Sequence, residues 1–384
     1  MSRLRVAILA HSTSPRGGVV HALELGDALV RLGHEAVVHA PDPRGTGFFR
    51  ETLCRTVSVP AEAAGVDVAA MVRQRVADYV RHFEPAANRD FDVFHAQDSI
   101  SGNALAALKA RGLIRRFART VHHVDVFDDR RLRDLQECAI VAADRHFVVS
   151  RHWAEQLEAQ FGLLGHVVGN GVDLRRYSDV RDARDCELRR RLGLGAGPVF
   201  VAIGGVEERK NTWRILQAFA ALRTAHPTAQ LLIAGGASLL DHSAYRQNFD
   251  AALAASRLPE NAVLLAGPLP QQEMPALYRV ADALVFPSVK EGFGLVVLEA
   301  MASGLPVVVS RIAPFTEYLG ESDAAWCDPY DTVSIVDAMR ATLDPARRGG
   351  LIDGGLQVAA RHDWSHTAHA HLEIYAKLKE VQHA

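Results

Sequence analysis

Short apolar runs alternate with amphipathic stretches along this chain. Residues 5–11, RVAILAH, form the first run, which stops at Ser12-Thr13-Ser14-Pro15-Arg16-Gly17-Gly18. Val20, Leu23, Leu25, Ala28, Leu29 and Leu32 then recur on one side of a predicted helix that Gly33 ends, and residues 35–40, EAVVHA, form the second run. Strand, Gly-rich turn, helix and strand in this order make a βαβ unit. Strands that are apolar throughout belong to a parallel sheet covered by helices on both faces. Further strands are predicted at 93–97, 118–123, 146–150 and 167–169, with helices between them. Asn170-Gly171-Val172-Asp173 closes this series. Residues 174–186 are polar and arginine-rich without apolar period, and read as a linker. The pattern then restarts: strands at 199–204, 230–234, 262–266 and 283–286, and helices at 213–223, from 245 and at 272–280. The architecture repeats although the sequence does not.

Composition narrows the class. At 384 residues the chain is long enough for two or three domains of about 150 residues each. Its 48% hydrophobic and 23% charged content is that of a globular protein in water. A net charge of −2 supplies no field to draw in nucleic acid. The opening apolar run of about six residues is too short for a signal peptide, and no stretch approaches the roughly 20 apolar residues of a spanning helix. Cys54, Cys138, Cys186 and Cys327 are too scattered for a CxxC metal pair or a disulfide framework, so a cytoplasmic location is expected.

The chemistry concentrates in residues 286–310, FPSVKEGFGLVVLEAMASGLPVVVS. A strand end, a glycine loop and a helix N-terminus in sequence make an anion-binding device, because backbone N–H groups and the positive end of the helix dipole converge there. Glu291 and Glu299 flank Gly292 and Gly294. Glu299 falls about one and a half turns into the helix, where a carboxylate gains nothing from the dipole and suits a sugar hydroxyl instead. Over eight residues a helix rises about 12 Å, wider than the roughly 5–9.5 Å between glycosidase carboxylates, so one carboxylate for each end of a nucleotide-sugar is expected. Arg209 and Lys210 follow the first strand of the second half and stand ready for a diphosphate. In the first half, Gly17-Gly18 is a candidate ligand loop, against a plain turn; it lacks the GxGxxG spacing of a dinucleotide site. His95, Asp98, His122 and His123 lie at strand ends and are expected to project toward one crevice. Two features have plainer readings. Arg111, Arg115, Arg116 and Arg119 read as a solvated helix end, with weak peripheral membrane contact as the alternative. His362 and His366 have i,i+4 metal spacing without a third ligand or acidic base, so the tail reads as an amphipathic packing helix and no metal site is expected.

At these residues the chain resembles the retaining GT-B glycosyltransferases of the large E-x7-E family, glycosyltransferase family four, also known as glycosyl transferases group 1. EGFGLVVLEAMASGLPVV looks like its signature, and Gly17-Gly18, Thr120-Val121-His122-His123, Asn170-Gly171-Val172-Asp173 and the Lys210 segment are similar to its other landmarks, in family order. The resemblance implies an α/β fold of two Rossmann-like domains with parallel sheets facing each other across a cleft. It implies a first, acceptor-side domain over 1–172, a donor domain over 173–360, a last helix over 361–384 packing back on the first, and closure about the linker. By residue, it implies that Glu299 binds ribose hydroxyls and that Glu291 lies beside the donor sugar. Gly292, Phe293, Gly294 and Leu295 then form the loop on sugar and diphosphate, and Lys210 holds phosphate. Gly17 and Gly18 sit below the diphosphate, and His122 or His123 sits near the reacting carbon. Adjacent strand residues face opposite ways, so one of the two histidines faces the site.

One departure stands out: family members commonly carry an arginine where this chain has Gly205, which leaves Arg209 as the candidate replacement. The implied activity is transfer of a hexosyl unit from a nucleotide diphosphate sugar, with retention and without cofactor or metal, to a small-molecule, glycan or lipid-linked acceptor. An epimerase of the same fold and a catalytically silent sugar-nucleotide binder are the alternatives. The E-x7-E spacing speaks against the first and the intact Glu291, Glu299 and Lys210 against the second.

Overall fold

In the computed structural model, which describes residues 3–63, 65, 67–236 and 243–382, thirteen short strands form two parallel sheets. The first holds β1 (Arg5–Leu9), β2 (Glu35–Asp42), β3 (Arg55–Pro60), β4 (Val93–Ala96), β5 (Ala118–Val121), β6 (Arg145–Val148) and β7 (Gly165–Val167), in the order β3-β2-β1-β4-β5-β6-β7. The second holds β8 (Val199–Ile203), β9 (Gln230–Ala234), β10 (Val263–Gly267), β11 (Ala283–Phe286), β12 (Val307–Ser310) and β13 (Ala325–Cys327), in the order β10-β9-β8-β11-β12-β13. Helices cover both faces of the central strands: every residue of β4, β5, β9, β11 and β12 is buried, and β11, ALVF, is apolar throughout.

Both sheets reverse direction of growth after their third strand, between β1 and β4 and between β8 and β11. In an open α/β sheet this switch point leaves a crevice beyond the carboxyl ends of the two strands, where ligands bind. The segments that follow β1, β8 and β11 carry the Gly17-Gly18, Lys210 and E-x7-E landmarks, and His122-His123 lies at the end of the neighbouring β5.

The chain divides into two compact units, residues 1–171 with 364–384, and residues 172–363. The first has a core of Phe94, Leu105, Phe117, Tyr79 and Phe83, among others. The second is built on Phe200, Phe219, Phe249, Val285 and Met339. The terminal helix Trp364–Gln382 belongs to the first unit, where Trp364, His371 and Tyr375 are buried. Among the described residues no helix is long and apolar enough to cross a membrane.

Several expectations change. The segment read as a linker is built into the second unit. Helix Ala183–Arg191 starts inside it, Tyr177 is buried, and Asp185 and Asp182 accept hydrogen bonds from buried Arg279 at 2.6 and 3.0 Å. Its lack of apolar period reflects anchoring by ion pairs instead of by an apolar stripe. Strand β3 escaped notice because it is a polar edge strand, and β13 because it has three residues. Arg119 is removed from the arginine-rich surface: it lies buried in β5, where desolvation lowers its pKa to about 10. His95 does not reach the crevice. It is fully buried in β4, bonded to Thr120 Oγ1 at 2.8 Å and Tyr375 Oη at 2.6 Å. His362 ends helix Pro345–Arg361 and His366 lies in the next helix, so the two do not share one helical face.

Candidate functional site

In the second unit two loops are stitched together at the switch point. After β8 the chain turns through Gly204 (φ 118°) and Gly205 (φ 76°). A Cβ on Gly204 would come within 2.8 Å of Lys210 Cε, so the glycine makes room for the lysine stem. A short 3-10 turn, Glu208–Lys210, follows, and Asn211 adopts φ 60°. The Asn211 amide donates to Pro287 O at 3.0 Å and Pro329 O at 2.6 Å, and Val289 N donates to Arg209 O at 3.0 Å. These bonds tie the turn after β8 to the loop after β11.

The tie brings three charges together. Lys210 Nζ and Arg209 Nη1 both donate to Glu291 Oε1, at 2.6 and 2.8 Å, and Lys210 Nζ also lies 4.3 Å from the centre of the Phe286 ring. Glu291 is 7% exposed. Burial opposes its ionisation, but Lys210 and Arg209 more than offset this and hold its carboxyl below the ordinary glutamate range. Two cations that meet on one carboxylate oxygen can meet on one phosphate oxygen, because the chemistry is the same.

Beside them helix Leu295–Ala302 begins without a side-chain cap. Its N-cap is Gly294 at φ 92°, where a Cβ would stand 2.6 Å from Phe315 Cε1. Val297 N donates to Gly294 O at 2.9 Å, and no side chain caps the N–H groups of Leu295 and Val296 ahead of it, the place where a helix N-terminus receives an anion. Gly292 and Leu295 are half-buried. Phe293 turns its ring inward to stack on Tyr318 at 4.7 Å, and its carbonyl oxygen accepts from the Tyr318 hydroxyl at 3.2 Å. Glu291 precedes this helix instead of riding on it, so the 12 Å helical rise expected between the two glutamates does not apply. Glu299, nearly buried, accepts a hydrogen bond at Oε2 from the fully buried Tyr278 hydroxyl at 2.7 Å.

In the first unit, Gly17 and Gly18 open helix Gly17–Arg31, which also lacks a side-chain N-cap. A Cβ on Gly17 would meet open space, and one on Gly18 would lie 3.7 Å from the His122 ring. His122 Nε2 is 3.0 Å from Gln97 Oε1, and His21 meets His122 edge-on at 4.8 Å. His123 turns elsewhere: its Nε2 lies 3.3 Å from Asp125 Oδ1 and its ring 6.2 Å from Trp153. The structure thus gathers Gly17, Gly18 and His122 in one unit and Lys210, Arg209 and Glu291 in the other, with Glu299 on its own partner. Sequence reasoning missed Gln97, Asn211 and Tyr278. Asn211, just before a helix, had a legible signal; the other two had none, since buried polar partners carry no pattern. Among the described residues no cluster of three or more His, Cys, Asp or Glu is arranged to hold a metal ion.

Comparison with known proteins bears on both units. A family model described as "Glycosyltransferase Family 4" matches residues 15–176, and one described as "Glycosyl transferases group 1" matches residues 187–348. The D-inositol 3-phosphate glycosyltransferase of Xylanimonas cellulosilytica is 30% identical over 97% of this chain and 96% of its own length. That of Acidothermus cellulolyticus is 32% identical over 62% of this chain, and the match spans about half of that relative, 54%. Among solved structures, sucrose-phosphate synthase from Thermosynechococcus elongatus superposes with a TM-score of 0.80 at 20% identity, over 99% of this chain and 100% of its own. Anabaena HepE in complex with UDP and glucose gives 0.78 at 17% identity, over 97% and 100%. The architecture is GT-B.

Proposed function

Since the chain belongs to glycosyltransferase family 4, we propose that it transfers a hexosyl group from a nucleoside diphosphate sugar to a hydroxyl of an acceptor. The observation that carries this reading is the convergence of Lys210 and Arg209 on a single anionic oxygen beside an uncapped helix N-terminus. A glycosyl donor breaks between its anomeric carbon and the diphosphate, and charge develops on the departing phosphate oxygen. Cations and backbone dipoles already held in place stabilise that charge without reorganising, which is the most effective form of electrostatic catalysis. In this proposal Lys210, Arg209 and the first turn of helix Leu295–Ala302 receive the diphosphate and no metal is required for the task. Glu291 orients the two cations before the donor arrives and lies beside the donor sugar once it is bound. Glu299, bonded at one oxygen by the Tyr278 hydroxyl, takes the ribose hydroxyls in this proposal.

Support for a UDP-sugar comes from HepE, solved with UDP and glucose, and support for a phosphorylated polyol acceptor from the relatives named for inositol 3-phosphate. Retention of configuration rests on the E-x7-E resemblance. A screen of UDP-, GDP- and ADP-sugars tests the proposal. One class should raise the melting temperature, because a ligand that binds only the native state stabilises it, and should release its nucleotide when a polyol phosphate is added. The anomeric proton of the product then reads retention. An epimerised free donor, or binding without transfer to any acceptor, would overturn the reading.

A further inference from the structure

We infer that Gln97 is a positioning residue that holds His122 as the Nε2–H tautomer, so that the ring offers Nδ1, a hydrogen-bond acceptor, to a hydroxyl of the substrate. The substrate part of this inference rests on the glycosyl-transfer reading above; the tautomer does not.

Tyr375, fully buried on the terminal helix, places its hydroxyl 2.6 Å from His95 Nδ1, and His95 Nε2 is 2.8 Å from Thr120 Oγ1. Both ring nitrogens of His95 are therefore occupied. Gln97, two residues further at the carboxyl end of β4, sets its amide nitrogen 3.4 Å from the His95 ring nitrogens and its Oε1 3.0 Å from His122 Nε2. The oxygen faces His122, and a carbonyl oxygen can only accept, so His122 Nε2 carries the proton. A chain of fixed groups runs from Tyr375 through His95 and Gln97 to His122, and each member sets the orientation of the next.

The other side of the ring completes the case. Among the described residues His122 has no hydrogen-bond partner at Nδ1, and that atom is not sequestered. The ring sits against Gly18 at the N-terminus of helix Gly17–Arg31, where the helix dipole disfavours a second proton. Desolvation and the neighbouring His21, His123, Arg119 and His11 act in the same direction. A neutral imidazole with its lone pair forward repels a phosphate oxygen and accepts from a hydroxyl. His122 is thereby separated in role from the cationic diphosphate cradle of the second unit: it is a selector for an O–H donor group.

Nitrogen-15 NMR of histidine-labelled protein tests this, with the His122 signals assigned by their loss in His122→Asn. The wild type should show His122 as the neutral Nε2–H tautomer at pH 7.5; an Nδ1–H tautomer or an imidazolium overturns the inference. Gln97→Leu should yield mixed tautomers and lower kcat/KM roughly tenfold, the weight of about one hydrogen bond. An unchanged single tautomer in that variant removes the role of Gln97, and mixed tautomers with undiminished transfer remove the role of Nδ1 toward substrate. Gln97→Glu keeps an acceptor oxygen in place and should keep the tautomer, so its loss there also counts against the inference, whether or not the Leu variant folds. If no donor supports transfer, the functional reading fails while the spectrum still decides the tautomer.

Discussion

Glu291 carries its charge where burial resists it, and the two cations are the largest influence that favours that charge. The same arrangement dictates what each substitution should do. Lys210→Ala removes a donor that meets charge as the glycosyl bond breaks, so it should lower kcat by about 100- to 1000-fold, the usual cost of losing one preorganised stabiliser. Donor KM should change far less; steady-state kinetics separates the two, and a pure KM effect contradicts the assignment. Glu299 is the opposite case, because ribose contacts are equal in ground and transition states. Tyr278→Phe leaves the Glu299 carboxylate in place but releases one oxygen from its 2.7 Å tether. A buried hydrogen bond to a charged group is worth about 1.5–3 kcal/mol, so donor KM should rise by roughly 10- to 100-fold with kcat at saturation nearly unchanged. Loss of kcat instead would place Glu299 in the chemistry. At this scale the charged residues were legible in the sequence, because Glu, Lys and Arg near glycines and strand ends are conspicuous. Tyr278, the buried partner of Glu299, and Gln97, the partner of His122, were not, because a partner is defined by a contact and leaves no trace in composition.

The elements explain a substitution that puzzled at the sequence level. Where family members commonly carry arginine, this chain turns at Gly205 with φ 76°, and a Cβ there would stand 3.0 Å from Gly236 O. The strand-to-turn path therefore excludes a side chain, and the second cation arrives from Arg209 on the 3-10 turn. Gly205→Arg should fail to improve turnover and should destabilise the second unit by about 1–2 kcal/mol, the cost of a left-handed backbone for an L residue. A thermal melt would register this as a fall of about 2–4 °C per kcal/mol; an unchanged melt with raised kcat would mean that the turn can be rebuilt. The same logic tells which elements could be read in advance. Strands buried on both faces announce themselves as apolar runs, so the centres of both sheets were legible. The polar edge strand β3 and the ion-paired segment before and within helix Ala183–Arg191 were not, because their stability lies in pairing and in the Arg279 contacts, with no apolar period to show it. His95 was misread for the related reason that strand-end position does not reveal whether a helix from the far end of the chain will cover it.

Across the whole molecule, chemistry is distributed unequally between the two units. Among the described residues every histidine that is essentially buried (His21, His39, His95, His146 and His371) belongs to the first unit. Desolvation lowers the pKa of His21 to about 4 and of His371 and His39 to about 3, from 6.5. These rings are neutral in the folded protein down to those values, whereas in the unfolded chain they protonate as pH falls through 6.5. The unfolded state then binds more protons, so the stability present above pH 6.5 should decline as pH drops below it, until the folded-state pKa values are reached. At about 1.4 kcal/mol per pKa unit, His21 alone is expected to account for about 3 kcal/mol of that loss by pH 4. The second unit has no such buried set among its described residues, and acid should unfold the first unit before it. Tryptophan fluorescence can tell them apart, since Trp153 and Trp364 lie in the first unit and Trp213 and Trp326 in the second. Urea melts of a Trp213→Phe/Trp326→Phe variant, which reports the first unit, should shift steeply to lower denaturant between pH 7.5 and 5. Those of a Trp153→Phe/Trp364→Phe variant should shift much less. Equal shifts would show that the histidine cluster titrates without consequence for folding, and would return the acid response to carboxylates shared by both units.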